Sequence, residues 1–247
     1  MRDTRILMDM PITVEIVDSG FAGLVDEVFS YFAAVERRFS TFRSDSEISA
    51  LNGGRIGFED LSCDMREVLE IAARTKRDTD GYFDIRRSDG MLDPSGIVKG
   101  WAIRNAADLA RSFGARNFYV DAGGDIQIGG KNADGDDWKV GIRNPFNEQE
   151  IIKTVLPKGR GIATSGSYAR GGHIYDPHQP GRRIEDIVSL TVIGPDVLEA
   201  DRFATAAFAM GRAGIYFIEG MPELEGYAVD ANGIATQTRG FGAYVAP

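Results

Sequence analysis

Leu92-Asp93-Pro94-Ser95-Gly96-Ile97-Val98-Lys99-Gly100-Trp101-Ala102 passes from a turn into an amphipathic run. The acidic residue, the proline and the flexible Gly96 bring exposed backbone groups to the start of a helix, and Lys99 adds one cation. Such a place suits a phosphate. Glycine permits close backbone approach, free N–H groups and the helix dipole favour negative charge, and the lysine completes the neutralisation. Asp93-Pro94-Ser95-Gly96 also spells an ordinary turn before a helix, and local chemistry alone favours that turn over a phosphate site.

Outward from this stretch, Trp101 to Phe113 reads as a helix closed by Gly114 as its C-cap. Upstream, Ile6 to Val17 is rich in β-branched residues and predicts an opening strand with an edge or bulge at Pro11. Leu24, Val25, Val28, Phe29, Phe32 and Val35 recur at helical spacing, so Phe21 to Arg38 is a helix of about five turns. Ser46 caps a short helical turn and Ser62 a second long helix with Met65, Val68, Leu69, Ile71 and Ala72 inward. Downstream, Phe118 to Asp121, Trp138 to Ile142, Glu150 to Leu156, Gly161 to Ser165 and Ile187 to Ile193 are strand-like, in the manner of an antiparallel meander. Pro195-Asp196 opens a helix through Met210, a short helix fits Ile215 to Glu219, and Glu225 to Pro247 returns to short strands. Long helices beside mostly antiparallel strands predict an α+β fold. No repeat or linker divides the chain, so residues 1–247 read as one compact domain.

Composition limits the chemistry. The 247 residues are 43% apolar, enough for a real core, and carry a net charge of −9, which argues against nucleic acid as a partner. An anionic substrate therefore needs local cations, N–H groups or a metal. A single cysteine, Cys63, excludes an internal disulfide, and with two histidines it excludes a Cys-rich zinc site. Met1 to Val17 has neither a signal-peptide core nor a lipidation cysteine, and no run reaches membrane-spanning length. The expectation is a soluble, cytoplasmic protein without membrane insertion.

Several groups along the chain carry potential chemistry. Tyr82-Phe83-Asp84 follows a helix end at Gly81 and offers an aromatic wall with a polar anchor, suited to a flat heteroaromatic ligand; a packed strand start reads equally well. Ser165-Gly166-Ser167-Tyr168 can present hydroxyls, although Ser-Gly turns are commonplace. His173 is one of only two histidines. Asp201 and Thr205 stand four apart on a helix and share a face, so they can serve as two oxygen ligands of a hard cation such as Mg²⁺; the alternative is an acidic residue in an early helical turn and a threonine bonded back to its own backbone. Gly123-Gly124 to Gly129-Gly130 lacks the G-x-G-x-x-G spacing of dinucleotide folds.

Taken in order, these blocks resemble the ApbE family of FAD:protein FMN transferases. The matching segments are Phe39-Ser40-Thr41-Phe42, Ser46-Glu47-Ile48-Ser49 with Leu51-Asn52, Gly81-Tyr82-Phe83-Asp84, and Leu92-Asp93 with Gly96 to Ala102. Gly123-Gly124-Asp125-Ile126, Ala163 to Tyr168, His173-Ile174-Tyr175-Asp176-Pro177 and Ala200-Asp201 with Ala204-Thr205 continue the match. The resemblance implies an ApbE/T-fold-like α+β domain that binds FAD and Mg²⁺ and transfers FMN to a threonine of an acceptor flavoprotein, releasing AMP. It implies Gly96 (through its carbonyl), Asp201 and Thr205 as metal ligands. Met8, Phe42, Tyr82, Phe83, Asp84, Asp93, Lys99, Ser165 and Tyr175 would line the FAD site, and His173, Lys99 and Asp201 would carry the chemistry. FAD hydrolysis to FMN and AMP, or FAD binding without catalysis, are the alternatives. The chain departs from the family's pattern at Met8-Asp9-Met10, where Met-Gly-Thr is common; at Phe42, where tyrosine is frequent; in the short segment between Asp84 and Asp93; and in lacking the signal or lipid anchor of exported members.

Overall fold

Within Met10–Ile16 the residues Ile12, Val14 and Ile16 are buried while those between them are more exposed, the period of a strand packed on one face. Phe118–Ala122 repeats the pattern with Phe118, Val120 and Ala122. The structure, a computed structural model, describes residues 1–167, 174–179 and 183–247. Its strands are β1 (Arg2–Leu7), β2 (Met10–Ile16), β3 (Phe118–Ala122), β4 (Asp125–Gly129), β5 (Val140–Asn144), β6 (Asn147–Val155), β7 (Gly161–Gly166), β8 (Ile187–Gly194), β9 (Glu225–Asp230) and β10 (Ala235–Gln237). Among the described residues one eight-stranded antiparallel sheet runs β1-β2-β3-β4-β7-β8-β9-β10, and β5 and β6 form a separate two-stranded sheet.

The helices α1 (Leu24–Phe39), α2 (Glu47–Asn52), α3 (Cys63–Asp78), α4 (Ser95–Ser112), α5 (Val197–Ala209) and α6 (Gly214–Glu219) lie to one side. Alternation on the strands separates the two faces. Ala163, Val192 and Ala228 join the core under α5 and α6, whereas their neighbours Ile162, Ile193 and Val229 join Trp138, Val140 and Val155 on the opposite face. Helices on one face and a small hairpin on the other make the α+β architecture expected from the sequence. Ser46 and Ser62 cap α2 and α3 as anticipated, accepting from Ser49 N–H at 3.1 Å and Met65 N–H at 3.2 Å. No helix among the described residues is long and apolar enough to cross a membrane.

Three expectations and one alternative reading are corrected. Ile6 to Val17 is a hairpin, not one strand: Met8 (φ 53°) and Asp9 (φ 59°) are consecutive left-handed residues between paired Leu7 and Met10. That is the geometry of a two-residue primed turn, which Asn-Gly or Asp-Gly announces in a sequence and Met-Asp does not. α4 begins at Ser95 rather than Trp101, because Ile97 and Val98 N–H both donate to the Pro94 carbonyl at 2.9 Å and the Asp93 carboxylate accepts from Ser95 N–H at 3.1 Å. Lys99 thus belongs to the helix instead of a loop before it. The second half is not a simple meander, since β7 leaves β6 and pairs with β4 and β8. Tyr82 to Ile85 forms no strand.

Two close approaches hold this frame. Asp18, after β2, accepts from the N–H groups of Arg116 (2.6 Å) and Asn117 (2.8 Å) and from the Asn117 side chain (2.6 Å), which pins the start of β3. Partial burial disfavours its charge, but the hydrogen bonds from Asn117 and Arg116 together outweigh that and hold its carboxyl below the ordinary value. A depressed folded-state pKa contributes stability that is present above the unfolded-chain pKa and lost as pH falls through the folded value. Asp18→Ala is expected to lower stability at pH 7 by about 1 to 2 kcal/mol. The gap from the parent protein narrows below about pH 4, as urea unfolding at pH 7 and pH 3 will measure. At the second approach, a Cβ on Gly100 of α4 would sit 2.9 Å from Asp201 Cβ and 3.0 Å from Leu198 Cα of α5. Gly100→Ala should therefore force the helices apart, costing about 1 to 3 kcal/mol in thermal or denaturant unfolding.

Candidate active site

The first turns of α4, the middle of α5, the end of β7 and the loops 82–87 and 174–177 enclose a cavity of about 180 Å³. It gathers Tyr82, Phe83, Asp84, Asp93, Gly96, Lys99, Ser165, Tyr175, Asp201 and Thr205, ten of the residues expected at the site. A second cavity of about 480 Å³ lies on the other side of the α4 N-terminus and holds Met8 and Phe42 with Met10, Phe39 and Val98. Asp93, Ser95 and Lys99 line both. Met8 reaches the second cavity because it sits in the tight β1-β2 turn, and Phe42 is 90% exposed at its rim. His173 lies outside the described residues, as does Tyr168.

The charge centre is where the cavities join. Lys99 Nζ pairs with Asp125 of β4 and stands 3.5 Å from Asp201 Oδ1 of α5. Both carboxylates are buried. Asp125 is oriented by accepting from Thr164 N–H at 2.9 Å, and Asp201 by accepting from Gly100 N–H at 3.0 Å. Burial pushes the Asp201 carboxyl up to about 7; the attraction of Lys99 and the Gly100 N–H opposes the rise, and the charge of Asp125 reinforces it. Two buried acids therefore share one ammonium, an arrangement with capacity for further positive charge.

The oxygens beside Asp201 are of a suitable kind. Thr205, one turn later on α5, has its hydroxyl 3.4 Å from Ser165 Oγ. Gly96 is close by: a Cβ there would lie 3.9 Å from Thr205 Cγ2 and 3.0 Å from the Phe83 ring. A carbonyl oxygen carries two lone pairs, so Gly96 can serve a cation in addition to its helix. Among the described residues no three His, Cys, Asp or Glu side chains cluster for a metal. Any cation here would rest on one carboxylate, a hydroxyl and a carbonyl, the hard oxygen donors that Mg²⁺ accepts while keeping water and phosphate.

The remaining members form the walls. Asp84 is tied to Lys76 at 2.5 Å and accepts from Arg86 N–H at 2.9 Å, so it braces its loop as well as facing the cavity. Tyr82 stands edge-on to His178, with ring centroids 4.5 Å apart. His178 in turn donates from Nε2 to the Asp80 carbonyl at 2.9 Å and contacts Asp176 through Nδ1 at 3.1 Å, fastening the 174–179 segment to the 80–82 loop. Asp125 stands within Gly123-Gly124-Asp125-Ile126, and a carboxylate directly after a glycine turn is the one local sign of its role. His178 had no signal beyond the scarcity of histidine.

The sequence profile of the ApbE family matches residues 8–89 and 85–228. The FAD:protein FMN transferase of Vibrio cholerae is 37% identical over 130 residues, covering 49% of this chain and 39% of that protein. The protein of the same name from Salmonella typhimurium is 36% identical over 133 residues, 50% of this chain and 38% of its own length. The chain thus spans well under half the length of these relatives. That of Haemophilus influenzae is 23% identical over 249 residues, 75% of this chain and 72% of that protein. Among solved structures, the flavin transferase ApbE of Vibrio cholerae superposes with a TM-score of 0.84 at 24% identity, covering 99% of this chain and 98% of that one. The ApbE protein of Thermotoga maritima gives 0.88 at 20% identity over 100% and 99%. The fold is shared throughout, and with the profile running from residue 8 to residue 228 this chain belongs to the ApbE family.

Proposed function

We propose that the chain is a Mg²⁺-dependent flavin transferase that moves FMN from FAD to a threonine of an acceptor flavoprotein and releases AMP. The observation that carries this reading is the Lys99 ammonium at the junction of two cavities, held between buried Asp125 and Asp201. FAD has a ring system at each end and a diphosphate between them. A pair of chambers joined over a cation and the start of a helix suits such a molecule. The names of the relatives support the same activity.

Asp201, Thr205 and the Gly96 carbonyl would hold Mg²⁺, and the buried carboxylate next to Asp125 favours added positive charge there. Bound, the metal supplies Lewis-acid neutralisation of the diphosphate. Lys99 opposes the charge that grows on the phosphoryl oxygens as the bond to AMP breaks. The acceptor threonine's oxygen forms the new bond to the FMN phosphorus, the electron pair of the broken P–O bond departs with AMP, and the threonine's proton passes to a base. His173 is our candidate for that base, on the resemblance alone. Tyr82, Phe83 and Tyr175 would wall one chamber, Met8 and Phe42 the other, with Asp84, Asp93 and Ser165 as polar anchors.

Incubation with FAD, Mg²⁺ and a candidate threonine-bearing acceptor tests the reading. Flavin fixed to the acceptor together with AMP is the expected result, whereas free FMN with AMP identifies a hydrolase and intact bound FAD a carrier. Asp201→Asn should cut AMP release by about 100-fold or more while melting stays near that of the parent. Lys99→Met should raise the Kd for FAD by about tenfold in a flavin-fluorescence titration, because the two acids left behind can share a proton instead of unfolding the site.

A further inference from the structure

Arg202 follows Asp201 directly and turns the other way. Its guanidinium is buried against the end of α3, where Nη1 donates to Thr75 Oγ1 and to Asp78 Oδ2, each at 3.2 Å. Nε and Nη2 form a fork on Glu199 at 2.8 and 2.6 Å, and the Phe203 ring lies beneath at 3.9 Å. A planar cation held on so many sides has one orientation.

The contacts continue beyond Thr75. Its carbonyl accepts from the Thr79 hydroxyl at 2.7 Å, and Thr79 Oγ1 accepts from Phe83 N–H at 3.2 Å. Thr75, Thr79 and Phe83 are all buried. Phe83 then packs its ring on Gly96, where a Cβ would lie only 3.0 Å from the ring edge. One unbroken path therefore leaves α5 beside Asp201, crosses the end of α3 and returns to α4 at Gly96.

We propose that Arg202 is a positioning residue: acting through Thr75 and Thr79, it sets Phe83 against Gly96 and so fixes the Gly96 carbonyl and the aromatic wall relative to Asp201 and Thr205. This inference rests on the reading of the site as one for FAD and Mg²⁺. Arg202, Thr75 and Thr79 do not line the cavity and touch none of the reacting atoms. Its effect is geometric, delivered through buried hydrogen bonds that have no solvent alternative.

The test uses FAD binding, followed by quenching of flavin fluorescence while Mg²⁺ is titrated, together with thermal melting. Thr79→Val keeps the shape of the side chain and removes the hydroxyl; Thr79→Ser keeps the hydroxyl. Thr79→Val and Arg202→Met should raise the Mg²⁺ concentration for half-saturation by about 10- to 100-fold, the scale of lost support around a metal site. Thr79→Ser should restore the parent value, and the double variant Arg202→Met with Thr79→Val should be no worse than the weaker single one. If Arg202→Met does not fold, the Thr79 pair decides the matter. Parent-like Mg²⁺ dependence in Thr79→Val, or a Thr79→Ser variant as impaired as Thr79→Val, overturns the proposal. A parent protein whose FAD binding ignores Mg²⁺ overturns instead the reading of the site on which it rests.

Discussion

The contact between α4 and α5 at Gly100 and Asp201 is the constraint on which the rest depends. Two helices meet there closely enough that a backbone N–H of one serves a buried carboxylate of the other. A buried acid is costly unless its charge is answered, and the answer comes from Lys99, one residue before that glycine. The same lysine reaches Asp125 on the sheet, so a single ammonium joins two helices and a strand. Glycine makes the approach feasible, since a Cβ on Gly100 would lie 2.9 Å from Asp201 Cβ and 3.0 Å from Leu198 Cα. A side chain at that position would widen the gap and draw the lysine away from the acids.

The sheet supports this contact from below. Gln127, buried on β4, accepts from Val197 N–H at 2.9 Å and so docks the start of α5, while Asp196 caps the same end through Glu199 N–H. Asp125 sits two residues before Gln127 on the same strand and therefore on the same face. Strand period thus places one residue that anchors the helix and one that pairs with the site lysine. At the edge, the β1-β2 turn brings Met8 toward Phe42 and closes the second cavity.

Much of this was legible before any coordinates. The helical stripe from Leu24 to Val35, the serine caps and the alternating strands all carry local periodicity that neighbours reinforce rather than oppose. Asp201 and Thr205 were legible as a pair because spacing on one helix fixes a shared face. The β1-β2 turn was not, since left-handed Met8 and Asp9 are imposed by the pairing of the strands around them. The start of α4 at Ser95 is not legible, because a loop-like glycine and proline hide a first turn whose Ser95 N–H is held by Asp93. Asp125 stayed without a role because its partner Lys99 is distant in sequence, and nothing local records a pairing of that kind.

The sequence by itself determined most of the element types, the α+β class and the residue types available to a site, because periodicity, capping and charge are properties of short segments. Only the tertiary structure decided that Lys99 stands between two buried acids, that Gly96 lies against Phe83 near Thr205, and that Met8 and Phe42 occupy a separate chamber joined at Asp93, Ser95 and Lys99. Those relations arise where α4, α5 and the sheet pack together. Packing is set by the sum of many distant contacts, so no window of the chain contains it.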